Sequence, residues 1–349
     1  MDYIVYFLGA GFSAPLGLPV MSNFLERSQD QHARHPNAYG YFRGIFDKIR
    51  DLHFSKSYYS ADLSNVEEIL SLLEMEAELE RNTELRDAFT RYLADVIKHH
   101  TKPLAVLTPQ HTDAGWSENL GLNDGLQASY ARFVASLHFA QVQRTGGSAP
   151  LVTERFDNMP YRYGVITVNY DTLIETFTEY LTFGGTALRL ITDPDVGDDE
   201  LYAGLPMAKL HGTLGGTIVP PTWNKGFHAP VLAAWRLAYR LLSRATHIRV
   251  IGYSLPDSDA YVRYLFKSAI LPKSAERLKA FHVLCRDDGG VARRYEAFTS
   301  LRAPHYVFKN LDVADYLARV AAVRQNVSQA TAGARFQLLD DYHTSLFRS

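Results

Sequence analysis

Two patterns of apolar residues divide this chain: short continuous runs, which suit buried strands, and positions recurring every three or four residues, which suit helices. Tyr3 to Leu8 is an apolar run that stops at Gly9-Ala10-Gly11, so a buried strand entering a tight turn is expected, with a helix from about Val20. Helical patterns fill Tyr39 to His100. The clearest joins Val66, Ile69, Leu70, Leu73 and Ala77, with Glu67, Glu68, Glu74, Glu76, Glu78 and Glu80 mostly on a solvated face. Thr101 to Gly125, rich in Pro, Gly, Asn and Asp, reads as a long loop before a helix near Leu126 to Gln143.

A regular alternation follows. Strands are expected at Tyr163–Val168, Leu188–Thr192, His247–Gly252 and Ala280–Cys285. Helices are expected at Asp171–Leu181, Pro230–Arg244 and Asp257–Ile270, with a last pair of elements from Val291; the stretch before Pro221 reads as hairpin or loop. Strands alternating with helices imply an α/β, Rossmann-like, mainly parallel sheet with helices on both faces. The segment at about 39–145 is then an α-helical module inserted between the first and second parallel strands. Residues 1–310 form one domain, and 311–349 form a C-terminal helix and tail, reached through a linker-like stretch at Gln325–Ala334 and suited to an oligomer or partner contact.

Composition narrows the class of function. At 349 residues, 46% hydrophobic and 21% charged, the chain can bury a sizeable core. A formal charge of -2 gives no electrostatic reason to expect nucleic acid or anionic membrane as a partner. The N-terminus has no secretory pattern and no run is apolar enough to span a bilayer, so a cytoplasmic location is expected. The single cysteine, Cys285, excludes an intramolecular disulfide and any zinc site built from several thiolates of this chain. None of the 13 histidines shows a metal-ligand spacing, and no metal is expected.

The candidate chemistry begins at Gly9-Ala10-Gly11-Phe12-Ser13-Ala14, which fits the G-x-G-x-x-A form of a dinucleotide turn and falls between a strand and a helix, as that motif requires. Glycines there let backbone N–H groups approach a pyrophosphate, and the helix that follows presents its positive end to it. A dehydrogenase would also carry an acidic residue at the end of its second strand. Here Glu26 falls inside a helical segment, which weighs against hydride transfer. Three polar residues follow strand ends. Asn169 and Asp171 sit in Thr167-Val168-Asn169-Tyr170-Asp171, where helix capping is the ordinary alternative. His211 lies between Leu210 and Gly212, where a satisfied core histidine is the ordinary alternative. Gly252, Tyr253 and Ser254 end the next strand and are placed to meet the second half of a dinucleotide, or form a plain turn.

Four strings in order, GAGFSAPLGLPVMSNF, ITVNYDTLIE, KLHGTLG and VIGYSLPDSD, resemble the sirtuin-like superfamily, particularly its bacterial branch of NAD-hydrolysing, anti-phage defence proteins. The resemblance implies NAD as substrate, with Gly9, Ala10, Gly11, Phe12, Ser13 and Pro19 around the pyrophosphate and nicotinamide. It implies Asn169, with Thr167 and Asp171, at the nicotinamide ribose, and His211 as the catalytic histidine. Gly17-Leu18-Pro19-Val20-Met21-Ser22 lacks the Asp-Phe-Arg of the deacylases, and their four-cysteine zinc module is absent, so protein deacylation is disfavoured. Such relatives form oligomers, some with a HerA-type motor ATPase. The expected activity is therefore an NAD glycohydrolase releasing nicotinamide and ADP-ribose. A non-catalytic NAD or ADP-ribose sensor within an ATPase assembly and an ADP-ribosyltransferase are the alternatives.

The chemistry follows from residue types as well. Cleaving the nicotinamide–ribose bond needs an oxocarbenium-like centre stabilised and a water aligned on its opposite face. An amide can donate to and accept from a ribose hydroxyl or water without adding charge. An imidazole, with an ordinary pKa of about 6.5, can take the proton near neutral pH. Nicotinamide leaves from a cationic ring and needs no general acid.

Overall fold

The computed structural model describes residues 1–55, 66–102, 104, 122, 125–144, 151–156, 159–182, 187–219, 229–270, 277–287, 289–301, 303–325 and 332–348. Most of the loop expected at 101–125 and of the linker at 325–334 lies outside them. Strands β1 (Asp2–Leu8), β4 (Tyr161–Thr167), β5 (Leu190–Ile191), β6 (Leu205–Lys209), β7 (His247–Ile251), β8 (Ala280–Leu284) and β9 (Tyr306–Lys309) form one sheet in the order β5-β6-β4-β1-β7-β8-β9. Every pairing is parallel, so each crossover needs a covering element. Apart from the two-residue edge strand β5, the order is that of a doubly wound dinucleotide-binding sheet, and it reverses between β1 and β7.

Alternation along β1 sends Ile4, Tyr6 and Leu8 to one face and Val5 and Phe7 to the other. The first face is covered by α1 (Phe24–Arg34), α2 (Phe42–Ser55), α3 (Val66–Glu80), α4 (Glu84–His100), α5 (Gly125–Leu137) and α6 (Leu173–Tyr180), joined by α10 (Val313–Gln325) and α11 (Ala332–Arg348). The second face is covered by α7 (Ala229–Arg244), α8 (Ala260–Ile270) and α9 (Val291–Phe298). Burial on both faces is why the strands read as continuous apolar runs rather than alternating ones. Helix α5 is buried from Gln127 to Leu137 and packs against α6 and α10. The segment between β1 and β4 is the expected helical insertion.

Two expectations change. The helix expected to reach Gln143 stops at Leu137, where Phe139 turns at φ 52°, and the chain enters an antiparallel hairpin of β2 (Ala140–Arg144) and β3 (Leu151–Arg155). The helical spacing of Tyr130, Phe133, Val134 and Leu137 masked that change of period. The stretch read as hairpin or loop before Pro221 contains β6, a central strand paired with β4 and β5. Pro206 hid it, yet the strand tolerates a proline because its missing N–H faces β4 one residue before the pairing with β4 begins at Met207.

The C-terminal helix is tied to the sheet by polar groups. Arg249 on β7, 1% exposed, donates to Tyr6 Oη at 2.8 Å and pairs with Asp340 on α11. His343 of the same helix bonds His282 of β8 at 3.1 Å and the Tyr316 hydroxyl at 2.8 Å, and Phe347 stacks on the His282 ring at 4.4 Å. One face of α11 is thus occupied by the molecule's own core. None of the described helices is long and apolar enough to cross a membrane.

Candidate active site

The expected site residues follow the carboxyl ends of four adjacent strands: His211 after β6, Asn169 after β4, Gly9 to Ser13 after β1, and Gly252 to Ser254 after β7. This is the edge at which the strand order reverses, where open α/β sheets hold their ligands. The ladders continue past the strand ends. Val168 N–H donates to Leu8 O at 3.2 Å and Leu210 N–H to Thr167 O at 2.9 Å, which fixes the approach of Asn169 and His211.

Asn169 is 8% exposed and its amide is fully committed on the nitrogen side: Nδ2 donates to Gly9 O at 2.9 Å and to Ser13 Oγ at 3.1 Å. Since the Gly9 carbonyl only accepts, the amide orientation is settled by its partner. Ser13 Oγ spends its own proton on Asp171 Oδ2 at 2.6 Å, and Asp171 Oδ1 accepts Leu173 N–H at 3.1 Å. The result is a directional chain, Asn169 to Ser13 to Asp171, ending at the first turn of α6. Thr167 supports it by accepting Asn169 N–H at 3.0 Å and donating to Leu8 O at 3.1 Å. Asp171 therefore both closes the turn before α6, as the ordinary reading had it, and anchors Ser13. Asn169 retains Oδ1 as its chemical function, an acceptor.

The glycine turn is built differently from the expected phosphate cradle. Gly9 N–H donates to Ile251 O at 3.0 Å and Gly11 N–H to Gly252 O at 2.8 Å. Gly252 sits at φ 67°, and a Cβ there would lie 2.3 Å from Phe12 N. The glycines let the β1 and β7 loops interlock, and those two N–H groups are engaged inside the protein. Ala10 begins the single helical turn Ala10–Ser13. The Phe12 ring is 1% exposed and packs on Tyr130 at 5.1 Å and Phe133 at 5.6 Å, in the core, while its carbonyl accepts the Tyr130 hydroxyl. Burial, helped by the charges of Asp171 and Asp312, pushes the Tyr130 phenol well above its ordinary range, so it stays a donor. Pro19 is buried beyond the Gly17 turn, and Ser254 O accepts Arg294 Nε at 2.9 Å.

His211 is 1% exposed and opens a tight loop closed by Val219 N–H on His211 O at 2.9 Å. The Trp235 indole donates to Leu210 O at 3.0 Å and pins the residue before it. The imidazole lies 5.8 Å from the Tyr170 ring, and Nε2 stands 3.6 Å from Asp259 Oδ2. Asp259 and Lys209 were not singled out from the sequence. Lys209 Nζ reaches Glu175 Oε1 at 2.7 Å and the Asp171 carbonyl, tying β6 to α6 beneath the Asn169 turn. The signal for Asp259 was present in Tyr253-Ser254-Leu255-Pro256-Asp257-Ser258-Asp259, where it reads simply as the acidic start of a helix. Cys285 is buried at the end of β8, and among the described residues no group of three His, Cys, Asp or Glu side chains is placed to hold a metal ion.

The strand order, the parallel pairing and the loops at the reversal point define a Rossmann-like α/β protein. No family model and no curated protein sequence matches the chain. Among solved structures it is similar to a Sir2 bound to acetylated peptide, at 14% identity over 92% of each chain with a TM-score of 0.35. A Sir2 with a p53 peptide and NAD+ gives the same identity, coverage and score. A third, from work on the mechanism and regulation of Sir2 enzymes, is 13% identical over 98% of this chain and 94% of that one, with a TM-score of 0.38.

Proposed function

We propose that this chain is a sirtuin-like NAD glycohydrolase that cleaves the nicotinamide–ribose bond. The observation that carries the reading is the convergence of Asn169, His211 and the two interlocked glycine loops on the edge where the sheet order reverses. The dinucleotide would span the β1 and β7 loops, with Gly9 to Ser13 and Pro19 on one side and Gly252 to Ser254 on the other. Asn169 Oδ1, the acceptor left by the committed Nδ2, would take a hydrogen bond from a ribose hydroxyl or from the attacking water. As the glycosidic bond breaks, its electron pair neutralises the nicotinamide ring. Water adds to the ribose carbon, and His211 accepts the proton it sheds. No zinc enters this chemistry.

The burial of His211 and Asn169 supports a site that must open before it turns over. That fits an enzyme held inactive until a trigger, in a homo-oligomer or an assembly with a HerA-type ATPase, as anti-phage NAD depletion in the cytoplasm would require. The same burial favours a second reading, a sensor that binds NAD or ADP-ribose without consuming it. Transfer of ADP-ribose to a macromolecule would use the same oxocarbenium centre with another acceptor. The test is nicotinamide release from NAD by wild type, Asn169→Ala and His211→Ala, alone and with the product of any neighbouring gene. The proposal expects release by wild type only, with both variants folded and still binding NAD. Intact NAD under every condition refutes it.

A further inference from the structure

Asp259 is a buried carboxylate at the entrance to α8. It ends the short 3-10 turn Asp257–Asp259 before α8, with its side chain turned inward and 2% exposed. Taking a carboxylate out of water is costly unless donors meet it. One donor from its own loop and one ring from the loop after β6 approach it. Tyr253 Oη, following β7, donates to Asp259 Oδ2 at 2.9 Å, and His211 Nε2, following β6, stands 3.6 Å from the same oxygen, close enough for a charge contact but too long for a formed hydrogen bond. Tyr253 is itself held: its ring packs on Phe7 at 4.9 Å and its carbonyl accepts the Tyr295 hydroxyl at 2.9 Å. The oxygen that faces His211 is therefore fixed from behind. Catalytic hydrogen bonds are commonly long before substrate binds and shorten in the complex.

We infer that Asp259 is a positioning residue for His211. Its carboxylate keeps the imidazole proton on Nε2, leaves Nδ1 to receive the proton of the attacking water, and offsets the charge of the imidazolium that results. The inference rests on the hydrolase reading for its consequence and on geometry alone for the tautomer. In the step concerned, the water oxygen bonds to the ribose carbon, the glycosidic electron pair leaves with nicotinamide, and the water proton passes to Nδ1 and then to solvent. Among the described residues, the His211 ring is met by the Asp259 carboxylate at 3.6 Å and the Tyr170 ring at 5.8 Å, and Tyr253 bonds that same carboxylate oxygen.

The test has two arms. In histidine labelled with nitrogen-15, assigned with His211→Gln, wild type should show His211 protonated on Nε2, whereas Asp259→Ala should show mixed tautomers; a proton on Nδ1 in wild type overturns the inference whether or not the protein consumes NAD. In the active assembly, Asp259→Asn keeps the shape but removes the charge. It should lower kcat by about 100-fold with NAD binding unchanged, and should move the acid limb of the pH profile to lower pH. Wild-type kcat and an unmoved limb in Asp259→Asn overturn the charge role. Absence of turnover by wild type counts against the hydrolase reading, while the tautomer still decides the geometry.

Discussion

The Asn169–Ser13–Asp171 chain is the part of the site whose energetics can be worked most directly. Removing the Ser13 hydroxyl by Ser13→Ala deletes a donor to a buried carboxylate, at 2.6 Å, and an acceptor for Asn169 Nδ2, at 3.1 Å. All three residues are at most 8% exposed, so water cannot replace the lost group without the site opening. A hydrogen bond to a charged group contributes about 1.5–3 kcal/mol, and an unsatisfied buried donor costs about 1–3 kcal/mol. The terms are not additive, because the cavity left is a single hydroxyl, and about 2–4 kcal/mol is expected in total. Unfolding entropy of roughly 2.1 cal/mol/K per residue, over 349 residues, amounts to about 0.7 kcal/mol/K. Tm should therefore fall by about 3–6 °C. The assay is thermal unfolding by calorimetry at pH 7, with Ser129→Ala as a control in which the hydroxyl bonds a carbonyl of its own helix. A Ser13→Ala Tm within 1 °C of wild type would refute the chain as a structural unit, and with it the argument that Ser13 helps hold Asn169 through Nδ2.

Other perturbations test the frame around the site. Asp340→Ala leaves Arg249 buried without its carboxylate and should cost about 3 kcal/mol in a urea titration, most of it recovered in the double variant Arg249→Met with Asp340→Leu; equal losses in both would remove the pair as the anchor of α11. Burial first, and then the charge of Arg155, lowers His138 to about 3; burial and Arg249 lower His282 to about 3. Both imidazoles are neutral in the fold and take up protons on unfolding, so the stability they contribute is complete above about pH 6.5 and is lost as pH falls toward 3. At pH 5 the loss is about 2 kcal/mol for each. Urea midpoints at pH 7 and pH 5 should show a smaller pH dependence in His138→Gln than in wild type, and an equal dependence would count against the assignment. Gly252→Ala would put a Cβ 2.3 Å from Phe12 N and 2.4 Å from Gly11 C, backbone atoms that cannot give way, and should cost more than about 3 kcal/mol. Gly289→Ala, at φ 107° in open space, carries conformational strain alone and should cost about 1–3 kcal/mol; comparable losses at the two positions would contradict the interlock.

The sequence made the sheet legible where strands are buried on both faces, since β1, β4, β7 and β8 read as uninterrupted apolar runs. It concealed β6, because that strand is short, contains Pro206, and owes its existence to pairing with β4, remote in sequence. The β2–β3 hairpin was concealed by the helical period that precedes it. Asn169, Asp171 and His211 were legible from their strings, but their division of labour was not. That Asn169 keeps only Oδ1 depends on where Gly9 O and Ser13 Oγ fall in space. The glycines were assigned to an anion from their spacing, and the fold gives Gly9 and Gly11 first to Ile251 and Gly252. Asp259 could not be paired with His211 from the sequence, because the contact joins loops from two different strands and is closed by Tyr253.

The central claim is tested most directly by incubating the protein, alone and in its assembled form, with NAD in oxygen-18 water and analysing the products by mass spectrometry. The account predicts equal amounts of nicotinamide and ADP-ribose, with one oxygen-18 retained in the ADP-ribose and none formed by Asn169→Ala or His211→Ala. Intact NAD recovered in full from both preparations, or ADP-ribose found only on a macromolecule, would contradict it.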